Sequence, residues 1–132
     1  MRPILYISGP YTPLGEKTVA DNIATARRFA IAAINKGWFP FTPHLNTMGF
    51  EEDCPDVPHR DWIEGDLAIL DCLDPEMSAV LMLPGWEESP GAQLELLHAK
   101  RRGMVIFTGI QSPEDVPPAT VPPFGSQHLL KV

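Results

Sequence analysis

The sequence predicts a doubly wound α/β domain, flavodoxin-like or Rossmann-like, with a mainly parallel sheet of four to five strands in a three-layer α/β/α sandwich. Three observations carry this reading. Short apolar runs of strand length alternate with amphipathic stretches of helical length, and that order implies parallel pairing through right-handed crossovers. Glycine or proline marks nearly every junction. A chain of 132 residues, 44% hydrophobic and 20% charged, suffices for one core between a sheet and its covering helices.

Pro3 to Ser8 is an apolar run stopped by Gly9-Pro10, which suits a buried strand. From Thr18 to Lys36 the residues Val19, Ile23, Ala26, Ala30, Ala33 and Ile34 recur at helical spacing, and Gly37 closes the pattern as a C-cap. Trp38 to Thr42 is the second strand, ended by Pro43. Residues 43–57 are rich in turn formers and read as a loop. A second helix is expected from about Pro58 to Leu73, with proline at its start. Ser78 to Leu83 is a buried strand. After the loop Pro84–Glu88 come Ser89, a good N-cap, and Pro90 at the first helical position. That third helix runs to Arg102, Gly103 stops it, and Met104 to Thr108 is the fourth strand. All 132 residues form one domain whose end, 109–132, is a proline-rich tail. The tail could wrap over the body, reach a partner subunit, or add a short fifth strand at Gln127–Val132.

Net charge is −7, and a nucleic-acid polymer needs a basic footprint that this chain lacks. The basic clusters Arg27-Arg28 and Lys100-Arg101-Arg102 sit late on predicted helices, where they complement the dipole. Cys54 and Cys72 have no metal-ligand spacing and read as free thiols of a reducing compartment. The N-terminal apolar run is too short for a signal peptide, and no stretch approaches a membrane span. A cytoplasmic protein with no membrane partner and no metal is expected.

In such sheets ligands bind beyond the carboxyl ends of the strands, where strand order reverses. Three segments qualify: Ser8–Gly15, Pro43–Pro58 and Pro84–Glu95. Ser89 and the helix start could hold a polar or anionic group. Glu95 lies in the second turn, with Gly91 and Ala92 on its own face, so it should look into open space. A fixed carboxylate with room for a substrate can capture an anomeric carbon as an ester. Equally, Ser89 could be a plain cap and Glu95 solvated. Asp66 shares one stripe with His59, Trp62, Ile63, Leu67, Leu70 and Leu73, a face that should point inward. A buried carboxyl there would gain a raised pKa and could protonate a departing base, or it could tie down loop amides. Tyr6 ends the first strand, where its phenol could orient a carboxylate or be ordinary strand filling. Gly9 and Pro10 could bring backbone close to a sugar or phosphate, though the turn is neither GxGxxG nor a Walker loop. His44 and His59 read as loop residues or base contacts, and Asp53, Asp56 and Asp61 as solvated surface. The third helix sets Ala92, Leu96 and Ala99 against the sheet yet carries Leu94 and Leu97 opposite, which suggests a subunit interface beside Glu95.

Leu5-Tyr6-Ile7-Ser8-Gly9-Pro10-Tyr11, Asp66-Leu67-Ala68-Ile69-Leu70, and Gly85-Trp86 with Ser89-x-Gly91-Ala92-x-x-Glu95 resemble the nucleoside 2-deoxyribosyltransferase superfamily, in its short bacterial and phage branch. The resemblance covers about residues 3–108. It implies that Glu95 attacks the anomeric carbon, that Asp66 serves the nucleobase and that Tyr6 positions the nucleophile. It further implies a nucleoside or nucleotide substrate, and substrate contact is expected at Ser8, Gly9, Pro10, Tyr11, His44, Gly85, Trp86, Ser89, Gly91 and Ala92. No metal or organic cofactor is implied, and a homodimer or higher homo-oligomer with the site near the interface is. The loop after the first strand lacks arginine, which puts 5′-phosphate recognition in doubt unless Ser89 and the helix terminus supply it. In relatives a late residue enters a neighbour's site, as Pro123-Phe124-Gly125-Ser126-Gln127 could here. Two other readings remain: a non-catalytic nucleotide-binding module, and a phosphoribohydrolase of the lysine-decarboxylase-like type. The latter usually has Pro-Gly-Gly where this chain has Pro84-Gly85-Trp86-Glu87.

Overall fold

The computed structural model describes residues 1–13 and 15–119. Strands Ile4–Ser8 (β1), Phe39–Phe41 (β2), Ser78–Met82 (β3) and Val105–Phe107 (β4) form one all-parallel sheet in the order β2-β1-β3-β4. The helices are Val19–Asn35 (α1), Pro43–Asn46 (α2), Phe50–Asp53 (α3), His59–Asp71 (α4) and Pro90–Arg101 (α5). The expected fifth strand at Gln127–Val132 and the segment 123–127 lie outside the described residues. Among those described, no helix is long and apolar enough to cross a membrane.

Alternation along the strands divides the core in two. Leu5, Ile7, Ala79, Leu81, Val105 and Phe107 face α1, which contributes Ala26, Phe29, Ala30 and Ala33. Tyr6, Val80, Met82 and Ile106 face the opposite layer, where α5 contributes Ala92, Leu96 and Ala99 and α4 contributes Leu70. Helices on both faces explain why every residue of β3 is buried. Trp38 anchors the first half-core: its ring is fully buried and its indole N–H donates to the Pro117 carbonyl at 2.7 Å.

Three features depart from the sequence reading. Residues 43–57 are not all loop, since Pro43 starts the single turn α2 and three acids in the first turn of α3 favour its N-terminus. Arg27 and Arg28 sit in mid-helix on an exposed face, because α1 continues to Asn35 with no basic residue in its last turn. The stripe on α4 is not buried throughout: Leu70 is buried, Asp66 is half-buried and His59 is exposed. The physical reason is that α5 occupies the sheet, so α4 packs on α5 and its C-terminal part alone reaches the core.

Gly9 is fixed by packing. A Cβ there would lie 2.6 Å from the Leu83 Cβ, which sits too near its own backbone to move aside. Gly9→Ala is therefore expected to cost about 1–3 kcal/mol. A lower urea midpoint at unchanged slope would show it.

Candidate active site

The chain leaves β1 toward β2 on one side and reaches β3 on the other, so the order reverses at the carboxyl end of β1. Tyr6 and Ser8 are two residues apart on that strand and so share a face, the one covered by α5. The start of α5 is set locally. Ser89 caps it by accepting from the Ala92 N–H at 3.3 Å, and Pro90 occupies the first turn. Ala92 is small enough to bring the helix onto the sheet, and one turn later Glu95 points at β1.

Glu95 is held at both oxygens. The Tyr6 hydroxyl donates to Oε2, and the Ser8 hydroxyl donates to Oε1 at 2.7 Å. The Tyr6 oxygen also stands 3.4 Å from the main-chain carbonyl of Asp66. A phenol has one proton, and the much closer carboxylate takes it. The strand tyrosine thus holds the Glu95 carboxyl and lies against the α4 main chain at Asp66.

Burial dominates the electrostatics. It pushes Glu95 up to about 7, with the nearby Asp66 charge adding to the rise and the Tyr6 and Ser8 hydrogen bonds opposing it. Burial also lifts Asp66 to about 6. Tyr6 is driven far above the usual phenol range by burial and by Glu95, so it remains a proton donor at any working pH. Two carboxyls that titrate near neutrality, one near enough for its charge to raise the other, can divide nucleophile and acid roles between them.

The other candidate residues frame this centre instead of entering it. Gly85 turns with φ 88°, and a Cβ there would come 3.3 Å from the Pro10 ring. His44 is buried in α2 with Nε2–H on the Pro10 carbonyl at 2.7 Å. Burial lowers its pKa, so it is neutral and braces the loop. Its Nδ1 has no partner among the described residues. Tyr11 donates to Glu51 of α3 at 2.6 Å, and burial followed by that bond raises its phenol to about 12. Trp86 is half-buried against the core on the α5 side. Gly9 has its Cβ position filled by Leu83, so packing alone requires glycine there.

Two further expectations need correcting. Glu95 does not face open space: it is 7% exposed. The small residue Gly91 is roofed by α4, with Ile63 Cδ1 at 3.8 Å from where a Gly91 Cβ would sit. Asp66, expected to be buried, is half-buried because α4 rides on α5 rather than on the sheet. The pairing of Ser8 with Glu95 is absent from the sequence reading, although the two-residue strand period that couples Ser8 to Tyr6 carries the signal. Among the described residues, no group of three or more His, Cys, Asp or Glu side chains is placed to hold a metal ion.

In comparison with known proteins, residues 3–108 match a family described as a domain of unknown function (DUF7768). No curated protein matches the chain.

Proposed function

The chain belongs to the DUF7768 family, and we propose that this member cleaves or transfers the N-glycosidic bond of a nucleoside or nucleoside 5′-monophosphate through a glycosyl ester on Glu95. One observation carries the reading: a buried carboxyl fixed at both oxygens by Tyr6 and Ser8, with the Asp66 charge near enough to raise it. The resemblance of the Ser89-to-Glu95 element and of the first strand to nucleoside 2-deoxyribosyltransferases supports it further.

The chemistry follows from the parts. Ionised Glu95 attacks C1′ and forms a C–O bond as the C1′–N bond breaks. The bonding pair passes to the base nitrogen, which takes a proton from the Asp66 carboxyl. Water, deprotonated by the resulting Asp66 carboxylate, or the nitrogen of a second base then attacks C1′ and frees Glu95. Tyr6 and Ser8 hold the carboxylate in place while its charge is spent and restored. No organic cofactor is required.

A second copy of the chain completes this proposal. Leu94 and Leu97 are each 42% exposed on α5, within a turn of Glu95, and suit a homodimer or higher homo-oligomer that shields the site. Free thiols at Cys54 and Cys72 suit a reducing cytoplasm.

A panel of nucleosides and their 5′-monophosphates, followed by chromatography of the free base, tests the activity. Base release from at least one is expected, and an added acceptor base separates transfer from hydrolysis. A folded protein that binds a panel member without releasing base would instead be the non-catalytic binding module.

A further inference from the structure

We infer that the site selects an uncharged nucleoside and rejects the same nucleoside bearing a 5′-phosphate. The inference rests on the glycosidic reading above and narrows its substrate class. Two independent observations carry it.

The first is the start of α5, the place where a phosphate would dock if this chain bound one. Its backbone donors are already used. Ser89 N–H bonds the Trp86 carbonyl at 3.0 Å, and Gln93 N–H bonds the Ser89 carbonyl at 2.9 Å. Ala92 N–H is taken by the Ser89 hydroxyl at 3.3 Å, and Pro90 has no N–H. Gly91 alone remains, whereas a phosphate cradle presents several convergent amides. The Ser89 hydroxyl, the other group that could reach a phosphate, is a buried cap.

The second is the charge at the carboxyl ends of the strands. In a parallel sheet the segments after β1, β2 and β3 gather at one pole with the helix N-termini, and the Tyr11–Glu51 bond ties two of them together. This pole carries Glu51, Glu52, Asp53, Asp56, Glu87 and Glu88, all exposed. Asp61 and Glu64 follow on the first turns of α4. Among the described residues, the cations of these segments are Lys17 and Arg60. Lys17 acts on Asp21, and Arg60 lies beside Asp61 and one turn from Glu64. Most other basic groups lie away from this pole, Lys36 at the end of α1 and Lys100, Arg101 and Arg102 at the end of α5. A dianionic phosphate approaching Glu95 and Asp66 therefore meets like charge, with no clamp among the described residues to offset it. A neutral ribose or deoxyribose meets none.

The test compares kcat/KM for one cleavable nucleoside and its 5′-monophosphate. A preference of about tenfold or more for the nucleoside is expected in low salt, shrinking as salt rises from about 20 to about 300 mM because exposed charge is screened. The double variant Glu87→Lys, Glu88→Lys should raise monophosphate turnover several-fold and leave the nucleoside rate within about twofold. Equal or better turnover of the monophosphate would overturn the inference. If neither releases base, calorimetric titration of the same two compounds decides. Binding of the nucleoside alone keeps the selectivity and refutes the chemistry, whereas equal binding of both, or binding of neither, refutes the selectivity itself.

Discussion

Glu95→Gln is expected to abolish base release, with a loss of at least about 10³-fold in kcat. Glutamine has nearly the same shape, so one of its amide atoms still accepts from Tyr6 or Ser8. It cannot form the ester, and the step that stores the sugar disappears. The variant should also fold well, and the sign of its stability change identifies the carboxyl. Burial lifts Glu95 from the ordinary 4.5 to about 7, so the native state holds its proton more tightly than the unfolded chain does. Wild-type stability should then fall as pH rises between those values, by roughly 1.4 kcal/mol per pH unit. Glutamine has no proton to lose, so its melting temperature should decline less between pH 5 and pH 8. An inactive variant that melts early at every pH would mean collapse of the site, not loss of a nucleophile.

Asp66→Asn is expected to lower kcat by about 10²–10⁴-fold for substrates whose base leaves only when protonated. The loss should be far smaller for a nucleoside with an activated leaving group, since such a group needs no acid. The pH profile distinguishes this role from mere structural support. Turnover needs Glu95 ionised and Asp66 protonated, while their environments set Glu95 near 7 and Asp66 near 6. Wild-type kcat/KM should be a bell with its maximum between those two values. The proton prefers Glu95, so the reactive arrangement is a minority of about one in ten before substrate shifts it. In Asp66→Asn the alkaline limb should vanish. The acid limb should move up, from near 6 toward the Glu95 value near 7, because it then reports Glu95 alone and no longer the first proton lost from the pair. An unchanged bell would remove Asp66 from the chemistry.

The fold is legible because its elements punctuate themselves. Gly9-Pro10, Gly37, Pro43, the Ser89-Pro90 pair and Gly103 each fall at an element boundary of the structure. The site is legible in its parts, Glu95 in the second turn of a capped helix and Asp66 on an apolar stripe, and less so in its geometry. The capping pattern of α5 gives no sign that α4 lies across it, so Ile63 over Gly91 cannot be foreseen. Periodicity points Asp66 inward because it reports which face is apolar, not what that face rests on. α4 rests on α5, and that leaves Asp66 half in water. The contact between Tyr6 and Glu95 spans 89 positions in the chain, beyond the reach of local pattern. The pairing of Ser8 with Tyr6 is a strand-period fact that the residues do contain.

The polar centre is also a constraint on folding. Tyr6 and Ser8 lie on one of the two inner strands, wholly buried, and each hydroxyl has Glu95 as its partner. Taking away the carboxyl would leave Ser8 unsatisfied at about 1–3 kcal/mol and Tyr6 with only the long contact to the Asp66 carbonyl. Glutamine is for that reason the informative replacement, and alanine is not.

The most direct measurement is acid quench of the protein during turnover of a cleavable nucleoside, followed by mass spectrometry of the intact chain and of its peptides. A sugar-sized adduct should appear on the peptide that contains Glu95, decay when water or an acceptor base is allowed to react, and be missing from Glu95→Gln. Base release without any adduct, or an adduct on Asp66 or elsewhere, would contradict the ester at Glu95.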